Sequence, residues 1–322
     1  NVQLIDGLAD RHVWAERYDG LLEDVFDLQE RVTQQVVSSL VPEILATQTQ
    51  RSSDSSRIFD ESYDKAWRAL ALMADAGTGN QPNKLDQALK LCEEAIKTNP
   101  KCEVAYNGAG WCYTTQSLFR WGDDPNTAAT KSIELASSLL GHNQNSVTGH
   151  RMVGVAKSRL GDFKGAISSL TNAYNLNPND SETTFSLAYA LACNGNSEDS
   201  KRYAQMGHRL SPKDPFLGRF YYLSMAMCFF MENDKDNFLS WSEKAIEANP
   251  NAPIRRALMI AYATEEHNLD LANFHFSALN KFAPNFIKSV LSGENILFAD
   301  GKHKERLNAG LNMFLQKRTK SP

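Results

Sequence analysis

Residues Val147–Asp180 read VTGHRMVGVAKSRLGDFKGAISSLTNAYNLNPND. Two amphipathic runs are separated by Leu160-Gly161-Asp162, and the stretch closes on Asn177-Pro178. Gly154 is the small residue of the first run, and Ala166 and Ala173 are those of the second. Gly161 follows the first run where a helix commonly ends on a left-handed residue, a conformation that costs glycine little. The closing phrase Ala173-Tyr-Asn-Leu-Asn-Pro178 returns as Gly207-His-Arg-Leu-Ser-Pro212, Ala245-Ile-Glu-Ala-Asn-Pro250 and Leu279-Asn-Lys-Phe-Ala-Pro284. These prolines lie 34, 38 and 34 residues apart, and Ala95-Ile-Lys-Thr-Asn-Pro100 is an earlier copy.

A beat of this length is that of tetratricopeptide (TPR) helix pairs, in which small residues stand where helices cross and a proline opens the turn to the next pair. The template fits residues 147–180, 181–214, 219–252 and 253–286. Two stretched copies precede them, 60–100 with a long turn through Gly77–Pro82 and 103–142 with an insertion around Ser117–Pro125. The expected fold is all-α: a TPR superhelix, or α-α solenoid, of about six helix pairs. The tail, read as helical over Phe286–Phe298 and Arg306–Phe314, is expected to cap the last apolar face.

Upstream the pattern differs. Val2-Gln-Leu-Ile5 and His12-Val-Trp-Ala-Glu-Arg-Tyr18 alternate around the turn residues Asp6–Asp10, which predicts a β-hairpin. Apolar residues at helical spacing from Leu22 to Val41 then predict one helix up to Pro42, and the Ser-rich 47–57 stretch reads as a linker. The domains expected are therefore 1–46, the end of an α/β module with its connecting helix; 47–57, linker; 58–286, the TPR array; and 287–322, capping helices. The chain begins at Asn1 rather than at Met, and it reads as a piece of a longer protein.

Composition narrows the function classes. The formal charge of -4 over 322 residues gives no reason to expect nucleic acid or an anionic membrane as partner. No run approaches the roughly 18 apolar residues of a membrane span. The five cysteines lack paired spacing and fall within helical patterns, which fits reduced, buried thiols and a cytoplasmic setting. The seven histidines form no HExxH or HxH motif, and no Gly-x-Ser-x-Gly elbow is present. Gly77-Thr-Gly-Asn-Gln-Pro-Asn-Lys84 lacks the Gly-Lys-Ser/Thr ending of a phosphate loop. Asp162, Asp180, Asp214 and Asp234 sit where helices start, as caps. No cofactor, metal or catalytic constellation is expected.

The concave face of such a superhelix is lined by the first helix of each pair. In register it should carry Asn107, Trp111 and Thr114, then Thr148, Arg151, Val155 and Ser158, then Phe185, Tyr189 and Ala192, then Phe220, Leu223, Met227 and Phe230. The early half is polar with Arg151 available, and the later half is aromatic and Met-rich. This surface suits an amphipathic peptide or partner helix, with Asn107, Trp111, Arg151, Phe185, Tyr189, Phe220, Met227 and Phe230 as candidate contacts. The alternative is that Phe220, Met227 and Phe230 pack on a neighbouring repeat or on the tail.

Val2-Gln-Leu-Ile-Asp-Gly7, His12-Val-Trp-Ala-Glu-Arg-Tyr-Asp19 and Leu22-Glu-Asp-Val-Phe-Asp-Leu-Gln-Glu30 together resemble the end of the TolB-N-terminal-like (FlgO-like) module that precedes TPR arrays in bacterial signalling proteins. Ser62-Tyr-Asp-Lys-Ala-Trp67 and Ser211-Pro-Lys-Asp-Pro-Phe216 are similar to phrases of the same family, while Leu307-Asn-Ala-Gly-Leu311 departs from its usual basic closing phrase. The resemblance implies a regulatory, protein-binding region attached to a class III adenylate/guanylate cyclase or a winged-helix output domain. Neither the aspartates of a cyclase nor a recognition helix is present in this stretch. It also leaves self-association as a second role.

Overall fold

The computed structural model describes residues 2–6, 11–16, 61–79, 81–119, 125–212, 215–299 and 301–319. The helix expected over 22–41, the 47–57 linker and Asp214 lie outside them. Strands β1 (Val2–Asp6) and β2 (Arg11–Glu16) pair antiparallel, with Leu4 opposite Trp14 and an irregularity between Leu4 and Ile5.

From Glu61 onward every regular element among the described residues is a helix. They are α1 (Glu61–Gly79), α2 (Pro82–Thr98), α3 (Glu103–Phe119), α4 (Pro125–His142), α5 (Val147–Arg159) and α6 (Phe163–Leu176). There follow α7 (Ser181–Cys193), α8 (Ser197–Leu210), α9 (Pro215–Glu232), α10 (Lys235–Ala248), α11 (Pro253–Glu265) and α12 (Leu269–Phe282). These twelve make six antiparallel pairs, and α13 (Phe286–Leu291) and α14 (Gly301–Thr319) follow them. Among the described residues no helix is long and apolar enough to cross a membrane.

Two sequence devices repeat the geometry. The turns inside four successive pairs each use one left-handed residue: Gly161 at φ +79°, Gly195 at +89°, Asn233 at +59° and His267 at +57°. In each, the N–H of the next residue bonds back to a carbonyl in the last turn of the helix: Asp162 to Lys157, Asn196 to Leu191, Asp234 to Phe229 and Asn268 to Ala263. This is the helix C-terminal motif that satisfies the last carbonyls. The second device is the Asn-Pro phrase. Asn99, Asn177 and Asn249 are extended, as a residue before proline prefers, and each side-chain oxygen accepts the N–H two residues on. Asp162, Asp180 and Asp234 each cap the following helix by accepting an N–H three residues on.

Close helix crossings explain the small residues. A Cβ added at Gly154 would sit 2.5 Å from Leu170 Cγ, and one at Gly108 would sit 2.7 Å from Cys92 Sγ. Ala66, Ala88, Ala95, Ala166, Ala173, Ala188, Ala204 and Ala245 are fully buried. All five thiols are free and buried.

Two local expectations change. Helix α1 runs on to Gly79 and α2 starts at Pro82, where the sequence suggested a long turn through Gly77–Pro82. Proline suits a first helical position, so α2 begins as early as its sequence permits. The tail helix expected over Phe286–Phe298 stops at Leu291, because Gly293 takes a left-handed conformation at φ +81° and turns the chain.

Residues Asn295–Ala299 then run back across the ends of earlier helices. Asn295 Oδ1 accepts from Arg159 Nη2 at 3.5 Å, and Ile296 lies against Gly161. The Ala299 N–H donates to the Cys193 carbonyl at 2.7 Å, and Phe298 stacks on Phe230 with ring centroids 6.0 Å apart. Helix α14 packs on α11, where Leu307, Leu311 and Phe314 are buried, and Arg306 pairs with Glu265 at 2.8 Å and donates to the Phe230 carbonyl at 2.5 Å.

His275 on α12 makes the last pair sensitive to pH. Arg256 on α11 donates to His275 Nδ1 at 3.2 Å, so this nitrogen must be an acceptor and the ring neutral. Burial first, and the Arg256 charge second, push the His275 pKa down from 6.5 to about 4. The folded state therefore binds fewer protons than the unfolded state between these values. Its contribution is complete above pH 6.5 and is lost as pH falls toward 4, at up to about 1.4 kcal/mol per pH unit. Urea midpoints at pH 7 and pH 5 should accordingly differ less for His275→Gln than for the unaltered chain.

Candidate ligand groove

The first helices of five pairs, α3, α5, α7, α9 and α11, turn one face each toward a common cavity of about 100 Å³. Its walls are apolar: Trp111 and Leu118 from α3, Val155 from α5, Phe220 and Leu223 from α9, and Ile254 from α11. Trp111 and Phe220 pack against one another in its wall, with ring centroids 5.6 Å apart. A shallower depression beside it shares Trp111, Thr114 and Val155 and extends toward Asn107 and Arg151.

At that end stands a closed polar network. Arg151 is only 5% exposed, and its guanidinium pairs with Asp180 at 2.5 Å and Glu182 at 2.7 Å and donates to Asn107 at 2.9 Å. Glu182 in turn accepts from Asn107 Nδ2 and from Trp111 Nε1, each at 3.4 Å. The sequence reading left Arg151 available to a ligand, and the structure corrects this. Asp180 caps α7 and Glu182 sits in its first turn, so both carboxylates reach across to Arg151 and consume its donors. The network instead fixes the Trp111 indole.

At the other end three arginines border the cavity: Arg159 from α5, Arg219 from α9 and Arg255 from α11. Arg159 donates to the Tyr189 hydroxyl at 3.4 Å, and Arg255 donates to the Arg219 carbonyl at 2.6 Å. Burial first, and then the nearby Arg219 guanidinium, push the Arg255 pKa down to about 9, still charged at neutral pH. Burial pushes the Tyr189 hydroxyl well above its ordinary value, so it stays protonated.

Of the expected groove residues, Trp111, Thr114, Val155, Ser158, Tyr189, Phe220 and Leu223 line the cavity, and Asn107 lies in the depression beside it. Five do not reach it: Thr148, Ala192, Phe185, Met227 and Phe230. Phe185 is 1% exposed and lies against Gly207 of α8, where a Cβ would come within 2.9 Å of its ring. Met227 is fully buried, and Phe230 packs between Phe238, Phe298 and the Arg306 guanidinium. The tail thus covers Phe230, while Phe220, which the alternative reading grouped with it, lines the cavity. Sequence reasoning missed Glu182 and the three cavity arginines. The one signal for Arg255 is an Arg pair, 255–256, opening the largely apolar helix α11.

Six helix pairs around a concave cavity define the class: an α-solenoid of TPR type. Among solved structures, the Cut9–Hcn1 hetero-tetramer of the APC/C superposes with a TM-score of 0.54 at 12% identity, over 89% of this chain and 49% of that one. TTC0263, a thermophilic TPR protein of Thermus thermophilus, gives a TM-score of 0.45 at 19% identity, over 68% of this chain and 98% of its own. In sequence, the protein named "Putative adenylate cyclase 3" of Rhizobium meliloti (strain 1021) is 26% identical over 160 residues. That stretch is 49% of this chain and 26% of the relative, so the likeness spans about a quarter of the relative's length. No family model matches.

Proposed function

We propose that this chain is a non-catalytic protein-interaction region of a bacterial cytoplasmic signalling protein, which takes a peptide or partner helix in its concave groove. The observation that carries this reading is the apolar cavity built jointly by five first helices, where Trp111, Phe220 and Leu223 are held ready by their neighbours rather than covered by the tail. Pre-organised aromatic walls of this kind anchor ligands at small entropic cost. The likeness to the Rhizobium meliloti protein favours a nucleotide-cyclase setting, in which residues 58–286 would form the binding array and the hairpin the end of an α/β module. Self-association through the same groove is the competing role.

The test is affinity capture of peptides, combined with light scattering. Trp111→Ala and Phe220→Ala should each weaken capture by about ten-fold or more, as loss of a central aromatic anchor does. Capture that survives both changes, or a dimer that buries the groove, would remove the peptide reading.

A further inference from the structure

Five arginines among the described residues, Arg151, Arg306, Arg256, Arg255 and Arg159, differ in what they meet. Arg151 is matched by Asp180 and Glu182, and Arg306 is matched by Glu265. Arg256, also buried, has the Pro250 carbonyl and the His275 ring as acceptors. Arg255 is different. It is 4% exposed and carries a full set of guanidinium N–H donors, yet its one acceptor among the described residues is the Arg219 carbonyl. Its Nε is buried without any partner. Arg159 is partly buried, with two long bonds, to Tyr189 and Asn295, and a buried Nε that bonds nothing. Among the described residues neither forms an ion pair.

A buried guanidinium without a counterion opposes folding, so an anion that reached Arg255 from outside would be bound favourably. Both of these line the same cavity. The start of α11 points the same way. Its cap residue Ala252 has no side chain to accept a hydrogen bond, and Asn249, Ala252, Pro253 and Ile254 border the cavity. First-turn N–H groups lack intrahelical partners, and the helix dipole adds partial positive charge there. Donors and positive charge therefore converge on one side of an apolar chamber, in a chain whose net charge is -4.

We infer that the groove's ligand is a peptide anchored by an aspartate or glutamate side chain, which seats on Arg255 and Arg159 while a bulky apolar neighbour rests on Trp111 and Phe220. This rests on the groove reading above and names its ligand. A guanidinium pairs with a carboxylate through two parallel hydrogen bonds, a geometry that a neutral amide cannot reproduce. The cavity of about 100 Å³ has the scale of one side chain or small ring, not of a helix. The adjoining depression along Trp111, Thr114 and Val155 continues the surface away from the arginines.

The experiment uses the full chain, an array of end-blocked heptapeptides, and two small probes, 3-phenylpropionate and 3-phenylpropionamide. The peptides place Glu, Asp, Gln, Asn or Lys at the centre, between Leu, Ile, Phe or Trp. Acidic centres should be retained at least about ten-fold better than their amides, and phenylpropionate should compete where its amide does not. Arg255→Met should abolish the preference for acid while leaving the melting temperature without ligand unchanged or higher, because an uncompensated charge has been removed. Arg159→Gln should weaken it in the same direction, and it serves if the first variant fails to fold.

Equal retention of acids and amides, or an acid preference that Arg255→Met leaves intact, overturns the carboxylate anchor and leaves the groove reading standing. Binding of phenylpropionate with no peptide retained overturns the groove reading, and with it the peptide named here. Binding of neither probe nor peptide overturns both.

Discussion

Phe298→Ala is expected to destabilise the array by about 3–5 kcal/mol, the usual cost of emptying a buried aromatic site. Phe298 is fully buried although it lies in an irregular segment, with its ring stacked on Phe230 and 6.0 Å from His303. Phe230 in turn contacts Phe238 and lies under the Arg306 guanidinium at 4.3 Å. Removing one ring therefore strips contacts from α9 and α14 together. The cavity cannot close by side-chain repacking alone, because the Ala299–Cys193 hydrogen bond holds the segment at its distance. Urea unfolding followed by circular dichroism should show the midpoint fall accordingly. A change below about 1 kcal/mol would mean that the segment is not part of the core at all.

Gly310→Val should have the second-largest effect, near the upper end for overpacking at about 3 kcal/mol. A Cβ at Gly310 would stand 2.9 Å from the Cα, Cβ and carbonyl oxygen of Ala261. Two of these are backbone atoms of α11, so no rotamer change relieves the contact. The helices must separate or α14 must detach. Detachment exposes Leu307, Leu311 and Phe314, which binding of a hydrophobic dye would report, and it opens α14 to limited proteolysis. Gly310→Ala meets the same atoms with less bulk and should fall between the variant and the unaltered chain.

How much of this was legible in the sequence differs from element to element. The proline phrases and Gly161 announced the pairs, because turn chemistry is local and a left-handed glycine or an Asn-Pro leaves a mark wherever it occurs. The register of the repeat also placed Trp111, Val155, Tyr189, Phe220 and Leu223 on the inner face. It failed at Phe185, Met227 and Phe230 for a physical reason. Helices α7 and α9 are apolar nearly all the way round, since they are packed against neighbours on several sides, and periodicity then cannot say which face looks inward. It also could not see that Arg151 meets Asp180 and Glu182 while Arg255 meets no acid. Both stand near the start of a first helix, and only the path of the neighbouring helix separates them.

The strand of chain from Asn295 to Ala299 has one more consequence. In an array whose units touch only adjacent units, stability is a sum over neighbours and unfolding can begin at an end and spread inward. Here Asn295 reaches Arg159, 136 positions earlier in the chain, and Ala299 reaches Cys193. These ties span the third to the sixth pair, so the last pair cannot fray without releasing contacts to the third. The C-terminal half of the molecule consequently gains the cooperativity of a globular domain and gives up the independence of its repeats. Its contact order rises with the length of that closed loop, and folding of this part waits on an event that a simple solenoid does not require.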